Sequence, residues 1–420
     1  MRLHSPVIPI VSLAAVLLTS PGSMAQEGGG QPDRASSREF LRFVIDSPAL
    51  SGAARRINAA ERRVDAAGLL PNPEIEGMIS QMDGAMGERN RMWEVNVRQP
   101  LPKRGERAAQ RDRARAGVAM AAADYALMAG EMAADTAMAL AEIEGGLARI
   151  QLLEAQLARL DALLRSLEVR LAAGTQGRLA ERLTVQSQIA AMQLMLEGER
   201  RMVGDAQAEA RARLGLAPDV ALPEFCAPVA TEVSAHDAAA IRLATARADE
   251  ADAMGKMARA TANPMTAVGL RFERGRTAMG NEDTVGIAFM SELPFRSRRA
   301  SRAELRATAA ERAAAQADAS VATYRIAAAL TRVERAERLA DIARRLSGET
   351  LDRLNAEYDA MIRSASAGSP MESTVLLTIE LLEKATEADL RVIEARQAAR
   401  AARAELWRYV PAEWFTWTKS

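Results

Sequence analysis

The stretches Leu70–Gly77, LPNPEIEG, and Ala262–Gly269, ANPMTAVG, decide the fold of this 420-residue chain. Each begins with an Asn-Pro turn and continues into roughly ten residues in which apolar and polar side chains alternate. A period of two places apolar side chains on one face of a β-strand and polar side chains on the other. The same turn and strand pattern therefore occurs twice, about 190 residues apart, as in a duplicated chain.

Each of these strands is followed by a second one, so that the sequence predicts two β-hairpins, at 73–101 and 264–295. Their apolar side chains share one predicted face: Ile75, Ile79, Trp93, Val95, Val97, Val268, Leu270, Phe272, Val285, Ile287 and Phe289. Their polar side chains share the opposite face: Glu74, Glu76, Glu94, Asn96, Arg98, Arg271 and Glu273. Both hairpins are therefore expected to be amphipathic.

Long helices follow both hairpins. Aromatic residues make up 4% of the chain, and Ala, Leu, Arg and Glu dominate, which is typical of long helices and coiled coils. One helix is predicted from Lys103 to about Arg170, a span of about 100 Å at 1.5 Å per residue, and another from Arg299 to about Ile362. Each is expected to end at a glycine-containing turn and to be followed by an antiparallel return helix. The turn glycines are Gly174, Gly177 and Gly368.

The order helix, hairpin, long helix and return helix occurs twice, which predicts an internal tandem repeat. Ser37 is expected to cap the first helix of the first repeat. The predicted boundaries are a signal peptide at 1–25, a flexible leader at 26–37, repeat 1 at 38–213, a linker at 214–230, repeat 2 at 231–410 and a C-terminal tail at 411–420.

The N-terminus has the pattern of an exported protein. Arg2 precedes the apolar run 7–18, and the triplet at 23–25 has the small-x-small pattern of a signal-peptidase site. No later segment has about 18 consecutive apolar residues, so that no transmembrane helix is predicted. The 55 basic and 55 acidic side chains cancel, which gives the chain no general attraction for nucleic acid.

The sequence offers no constellation of catalytic or cofactor-binding residues. After the signal peptide, His236 and Cys226 are single copies of their residue types, and no phosphate-binding glycine motif occurs. We therefore expect neither an enzyme nor a cofactor or resident metal site. Cys226 is expected to be a small buried residue. Thioethers bind soft metal ions, but flexible apolar filler is the favoured interpretation of the methionines around the first hairpin, Met78, Met82, Met86 and Met92.

Four amphipathic strands cannot close a membrane barrel by themselves. An unpaired amide in hydrocarbon costs several kcal/mol, and spanning barrels need about eight strands or more. If each chain supplies four strands, two copies would give about eight and three copies about twelve. The polar faces would then line a wet pore and the apolar faces would contact lipid. A soluble β-sandwich with one polar surface is the alternative.

In the order and spacing of these motifs, the chain resembles the outer membrane factor, or TolC-like, family of trimeric efflux and secretion channels. The resemblance covers essentially all of the chain after residue 25. It is carried by SPALSGAARRINAAERR (47–63), PNPEIEG (71–77), RQPLPKRGER (98–107), RLAAGTQGRLAERLTVQ (170–186), NPMTAVGLRF (263–272), SELPFRSRR (291–299) and AGSPMESTVLLTIELLEKA (367–385).

The resemblance implies a mainly α-helical chain with four β-strands, which as a homotrimer forms a 12-stranded outer membrane β-barrel continued by a 12-helix periplasmic α-barrel. It also implies a passive duct surrounded by outer membrane lipid, with a periplasmic adaptor protein and an inner membrane RND-type pump as partners. The motif QPLPKRG (99–105) and the short length of the chain resemble those of the heavy-metal-cation branch of the family.

The turns between long and return helices would form the periplasmic entrance. In the drug-efflux branch, acidic residues shortly after the tip glycine form constricting rings. At the matching positions this chain has residues that are not acidic: Ala180, Leu183, Thr374 and Leu377. Glu181 and Glu372 lie close by, and three copies of each would make a ring that favours cations. An ordinary charged helix start is the alternative.

Two further functions stay open from the sequence. The same channel could serve drug or type I protein export, or the chain could be a periplasmic coiled-coil adaptor or scaffold. The basic runs after the hairpins, at 103–107 and 296–299, also have two interpretations. They contact lipopolysaccharide phosphates, or they mark the junction between strands and helices.

Overall fold

The computed structural model describes residues 34–83, 89–172, 179–277, 280–291, 296–366 and 374–415. The predicted signal peptide, residues 26–33 of the predicted leader and the predicted turn glycines Gly174, Gly177 and Gly368 lie outside these residues. The helices are α1 (Arg34–Ile45), α2 (Pro48–Ala66), α3 (Glu106–Ala172), α4 (Leu179–Leu214), α5 (Ala239–Thr261), α6 (Ser297–Ser366) and α7 (Thr374–Glu405). The strands are β1 (Glu74–Asp83), β2 (Arg89–Leu101), β3 (Thr266–Thr277) and β4 (Gly280–Ser291).

The described chain is mainly helical with four strands, which confirms this part of the predicted fold class. Its two long helices have 67 residues in α3 and 70 in α6, close to the predicted bounds. The order helix, hairpin, long helix, return helix is observed in both halves. Among the described residues, no helix combines the length and the apolar character that a membrane crossing needs.

The strands form one antiparallel sheet in the order β1-β2-β3-β4. The central pairing joins the two hairpins, because Val95 lies opposite Phe272 and Arg98 lies opposite Gly269. A residue and its cross-strand partner point to the same face of a sheet. A single register therefore fixes which residues share a face across all four strands.

The chain divides into two compact units. The first consists of residues 1–49, 129–234 and 326–410. In it the ring of Trp407 stacks on Phe40 with a centroid distance of 5.4 Å. The Trp407 indole N–H donates a hydrogen bond to the carbonyl oxygen of Cys226 at 3.0 Å. Both rings are almost fully buried, so this stack fixes α1 and the segment that follows α7 to the chain around residue 226.

Ser37 does not cap a helix, contrary to the sequence prediction. Helix α1 begins at Arg34, and Ser37 is buried inside it with its Oγ 3.4 Å from the Cys226 Sγ. The Ser37 hydroxyl makes a tertiary contact and does not cap the helix. Helix α1 begins about one turn before the start expected from the sequence. Burial raises the pKa of the Cys226 thiol, and the Ser37 hydrogen bond opposes that effect.

A polar contact crosses three helices of the first unit. The Ser347 hydroxyl of α6 lies 3.5 Å from the Asp389 carboxylate of α7, which also feels the charge of Arg159 on α3. Burial raises the pKa of Asp389, while Arg159 and Ser347 act in the opposite direction. The folded state therefore holds this carboxyl in an environment that favours its protonated form.

The second unit consists of residues 50–128, 235–325 and 411–420 and contains the sheet. Helix α2 buries Leu50 and Ile57. Helix α5 buries mostly alanines, and a Cβ at Gly255 would lie 3.4 Å from the Thr308 Oγ1 of α6. Such small residues allow helix backbones to approach closely. Ion pairs between exposed side chains, such as Lys256 with Asp112 at 2.6 Å, join neighbouring helices at the surface of this packing.

Asp389→Asn tests the environment of the carboxyl in the first unit. A group whose pKa is higher in the folded state stabilises most below its unfolded value, here 3.8, and that stability is lost as the pH rises through the folded value. The amide of the variant cannot titrate. We therefore expect the difference in thermal unfolding midpoint, variant minus wild type, to increase between pH 4 and pH 7. Asp161→Asn, at an exposed position of α3, is the control. A pH-independent difference would contradict the assignment.

Gly269→Ala tests the central strand pairing. A Cβ at Gly269 would lie 2.7 Å from the Val97 carbonyl oxygen and 3.0 Å from the Arg98 Cα, both in the backbone of β2. Backbone cannot move aside cheaply, so we expect a loss of about 1–3 kcal/mol, as for other overpacked sites. Gly286, on the same face of β4, has nothing within 4 Å of such a Cβ, and Gly286→Ala is the control. Equal effects on the thermal unfolding midpoint would show that close packing at Gly269 does not set the register.

Candidate functional site

The apolar face of the sheet is the largest exposed apolar surface built from neighbouring strands. Cross-strand rows such as Ile75, Val97, Leu270 and Ile287 place all eleven predicted apolar residues on this face. Ile79 is 86% exposed and Ile287 is 82% exposed. Large contiguous apolar surfaces of this kind mark contact with a membrane or with another protein.

The opposite face carries a network of charged side chains. Arg98 lies 2.7 Å from Glu74 and 3.6 Å from Glu76. Arg271 lies 2.9 Å from Glu94 and 3.1 Å from Glu273. Asn96 donates from Nδ2 to Glu94 at 2.8 Å. The structure thus brings the predicted polar residues together in two clusters, one around each arginine.

Acidic side chains outnumber basic ones on this polar face. Within the described strands its acids are Glu74, Glu76, Glu94, Glu273 and Glu282, and its bases are Arg98 and Arg271. Glu282 was not among the predicted residues, although it falls on the same alternation two positions before Thr284. The face therefore has a negative potential, strongest toward the loop end, where Glu94, Glu273 and Glu282 lie.

Small residues occupy much of the polar face on β3 and β4. Gly269 and Gly275 lie on β3, and Gly286 and Ala288 lie on β4; Gly269 and Ala288 share the row of Arg98. Their side chains add little or no volume above the backbone. On β3 and β4 the large side chains Arg271, Glu273 and Glu282 therefore alternate with positions that add little volume.

The apolar face ends in a charged pair beside an aromatic ring. The Arg274 guanidinium lies 5.8 Å from the centre of the Trp93 ring and donates to both carboxylate oxygens of Asp283. Sequence reasoning missed this pair. Its signal was present, because Arg274 follows Phe272 by two residues and Asp283 precedes Val285 by two.

The basic residues at 103–107 stabilise the connection between strands and helices. Arg107 donates from Nε to the Gly68 carbonyl at 2.7 Å, and Lys103 donates from Nζ to the Thr261 carbonyl at 3.2 Å. The Arg104 carbonyl accepts from the Asn263 amide at 3.1 Å. These contacts support the junction interpretation of this run.

The entrance residues are described in part. Glu181 lies in the first turn of α4 and is partly exposed, whereas Glu372 lies outside the described residues. Next to this end, α3, α4 and α7 share an apolar cluster of Leu167, Val185, Val375 and Ile379. Arg182 lies 3.5 Å from Glu168. The ends of α3, α4 and α7 next to the turns are therefore packed together within the first unit.

The described part of the chain contains no group of three or more His, Cys, Asp or Glu side chains that could hold a metal ion. The site is thus a two-faced sheet joined to long helices, with charge on one face and apolar side chains on the other.

Comparisons with known proteins agree with this architecture. Residues 44–216 match the model of the outer membrane efflux protein family. No curated protein matches the sequence. Among solved structures, the chain is similar to a membrane protein from Pseudomonas aeruginosa, with 18% identity, a TM-score of 0.68, and 89% of this chain and 90% of that chain covered.

Two further structures show the same fold. The outer membrane protein VceC from Vibrio cholerae has 16% identity and a TM-score of 0.66, with 89% of this chain and 95% of that chain covered. CusC, described by its transmembrane channel formation, has 13% identity and a TM-score of 0.66, with 97% and 98% covered.

These findings agree with the mainly helical, four-stranded fold that the resemblance implied. Outer membrane efflux proteins are channels and not enzymes, and they extend through the outer membrane and the periplasm. Residues 44–216 are thus similar to the outer membrane efflux protein family, and the described chain has the fold of these solved structures.

Proposed function

We propose that three copies of this chain form the outer membrane channel of a tripartite efflux system that exports heavy-metal cations. The channel is a passive duct, which a periplasmic adaptor protein and an inner membrane pump open. The observation that carries the proposal is the two-faced sheet, apolar on one side and acidic on the other, with β1 and β4 at its two edges.

The free edges support a shared barrel. Strands β1 and β4 each pair on one side among the described strands. They run in opposite directions, so β4 of one copy can pair antiparallel with β1 of the next. In hydrocarbon every backbone amide needs such a partner. Three copies then supply about twelve strands, within the range of known outer membrane barrels.

The dimensions and the faces support an orientation in the membrane. The strands have 10 to 13 residues, and a crossing needs about 9–11. The apolar face contacts lipid, with Ile75, Val95, Leu270 and Ile287 among its central residues. The polar face, with Glu74, Glu94, Arg98 and Arg271, lines the lumen.

The charge of the polar face supports cations as cargo. Acids outnumber bases on it, and rings of carboxylates lower the free energy of cations in a pore. In the trimer, Glu181 and Glu372 add such rings at the periplasmic entrance. The order of elements, which occurs twice, supports a tandem duplication with the boundaries predicted from the sequence.

Ile287→Asp tests the direction of the apolar face. A carboxylate on a lipid-facing strand position is costly near the middle of the bilayer, by up to about 2–4 kcal/mol on the scale measured for charged residues, with acids below that of Arg and Lys. We expect loss of membrane-inserted trimer, measured by detergent extraction and gel mobility without heating. Val95→Asp should act in the same way.

The matched control is Ala288→Asp, which adds the same charge to the polar face of the same strand at a position opposite Gly269. It should leave the trimer yield unchanged. Normal insertion of Ile287→Asp, or equal loss in both variants, would show that the apolar face does not contact lipid.

Deletion of the gene in its host tests the cargo. We expect higher sensitivity to divalent or soft metal ions and unchanged sensitivity to organic drugs, measured as growth inhibition across a panel of both. The full-length gene supplied in trans should restore tolerance. Unchanged metal tolerance together with lost drug tolerance would replace metal export with drug export and leave the channel assignment intact.

A further inference from the structure

The row of residues beyond Trp93 on the apolar face has an unusual composition. It consists of Gln81, Arg91, Arg276 and Asn281, which are cross-strand partners on β1, β2, β3 and β4 in that order. Arg91 and Arg276 lie directly opposite each other, and both are exposed. Like charges in direct cross-strand pairs destabilise a sheet, so this pair calls for a counter-charge.

The row itself supplies no counter-charge. None of its four members is acidic, whereas in the adjacent row Arg274 is matched by Asp283. Both carboxylate oxygens of Asp283 accept hydrogen bonds from Arg274. The acid in the row toward the helices is therefore already engaged with another arginine, and in the row toward the loop Asp83 lies directly opposite Arg89.

The position of this row relative to the lipid headgroups indicates which group supplies the counter-charge. Trp93 ends the apolar rows, and tryptophan is enriched at the level of lipid headgroups. The Arg91 row lies two residues further along each strand, which is about 7 Å. It is at the loop end of the sheet, away from the strand ends that lead into α3 and α6. Under the proposed function, this end faces the outer leaflet.

We infer that Arg91 and Arg276 bind the phosphate groups of a phosphorylated glycolipid of the outer leaflet. Guanidinium groups bind phosphate through paired hydrogen bonds, and two opposing guanidinium groups provide two such forks. The acyl chains of the same lipid lie along the apolar rows below, which include Val95 and Phe272. The amides of Gln81 and Asn281 are in register to donate to the sugar or phosphate oxygens.

The central position of the pair leaves it accessible. Arg91 and Arg276 lie on β2 and β3, the inner strands of the sheet. Pairing of a further copy at β1 or β4 would not cover them. A trimer would carry three equivalent sites.

The test uses full-length protein purified as a trimer in detergent and titrated with diphosphoryl lipid A, with bound lipid counted by native mass spectrometry. We expect the wild type to bind diphosphoryl lipid A much more tightly than phosphatidylcholine or phosphatidylglycerol. In Arg91→Gln/Arg276→Gln this affinity should fall about 25-fold, since each arginine beside an anionic lipid contributes about fivefold. Arg345→Gln/Arg353→Gln, which removes the same charge from exposed positions of α6, should bind as the wild type does.

Equal affinity in the wild type and Arg91→Gln/Arg276→Gln would overturn the inference, and so would phosphatidylcholine binding as tightly as lipid A. Phosphatidylglycerol binding as tightly as lipid A would overturn the glycolipid assignment. If the double variant fails to form trimers, the single variants Arg91→Gln and Arg276→Gln should each lose about fivefold. A wild-type protein that does not form a membrane trimer would contradict the proposed function instead, so the two failures are distinguishable.

Discussion

The backbone amides and carbonyls at the edges of a sheet need partners, and the four strands of this chain leave two edges for a neighbour to satisfy. This constraint is modest in water and severe in hydrocarbon, where an unpaired group costs several kcal/mol. Under the proposed function, the sheet order, with β1 and β4 at the edges, makes each chain a segment of a larger cylinder. The polarity of the two faces and the adjacent helices are consistent with that single requirement.

The pairing of β2 with β3 joins the two hairpins into one four-stranded sheet. It joins strands that are distant in sequence, and it depends on a close backbone approach at Gly269. A slip of one residue in this register would exchange the two faces of one hairpin relative to the other. Glutamates would then meet lipid and isoleucines would meet water. The ion pairs around Arg271, which link β2 to β3, stabilise the observed register.

Local periodicity predicted the elements and the faces, and tertiary contacts explain what it missed. Alternation alone assigned Ile287 and Glu94 to opposite faces, since a strand has only two. It could not pair Arg274 with Asp283 or Trp93, because that contact needs the cross-strand register. The hydroxyl of Ser37 looked like a helix cap for the same reason: its partner, Cys226, is distant in the chain. The raised pKa of Asp389 likewise depends on burial among helices from different parts of the sequence.

The small residues on the polar face have a consequence for transport. Gly269, Gly275, Gly286 and Ala288 contribute almost nothing to the volume inside a closed cylinder. In small barrels, large inward side chains fill the interior and block it. Under the proposed function, the positions of these four residues leave room for water between Arg271, Glu273 and Glu282, which lie on the same face of the same strands. Such a pore would pass a large ionic current once its periplasmic end is opened, so its resistance would lie at the helical entrance and not within the bilayer.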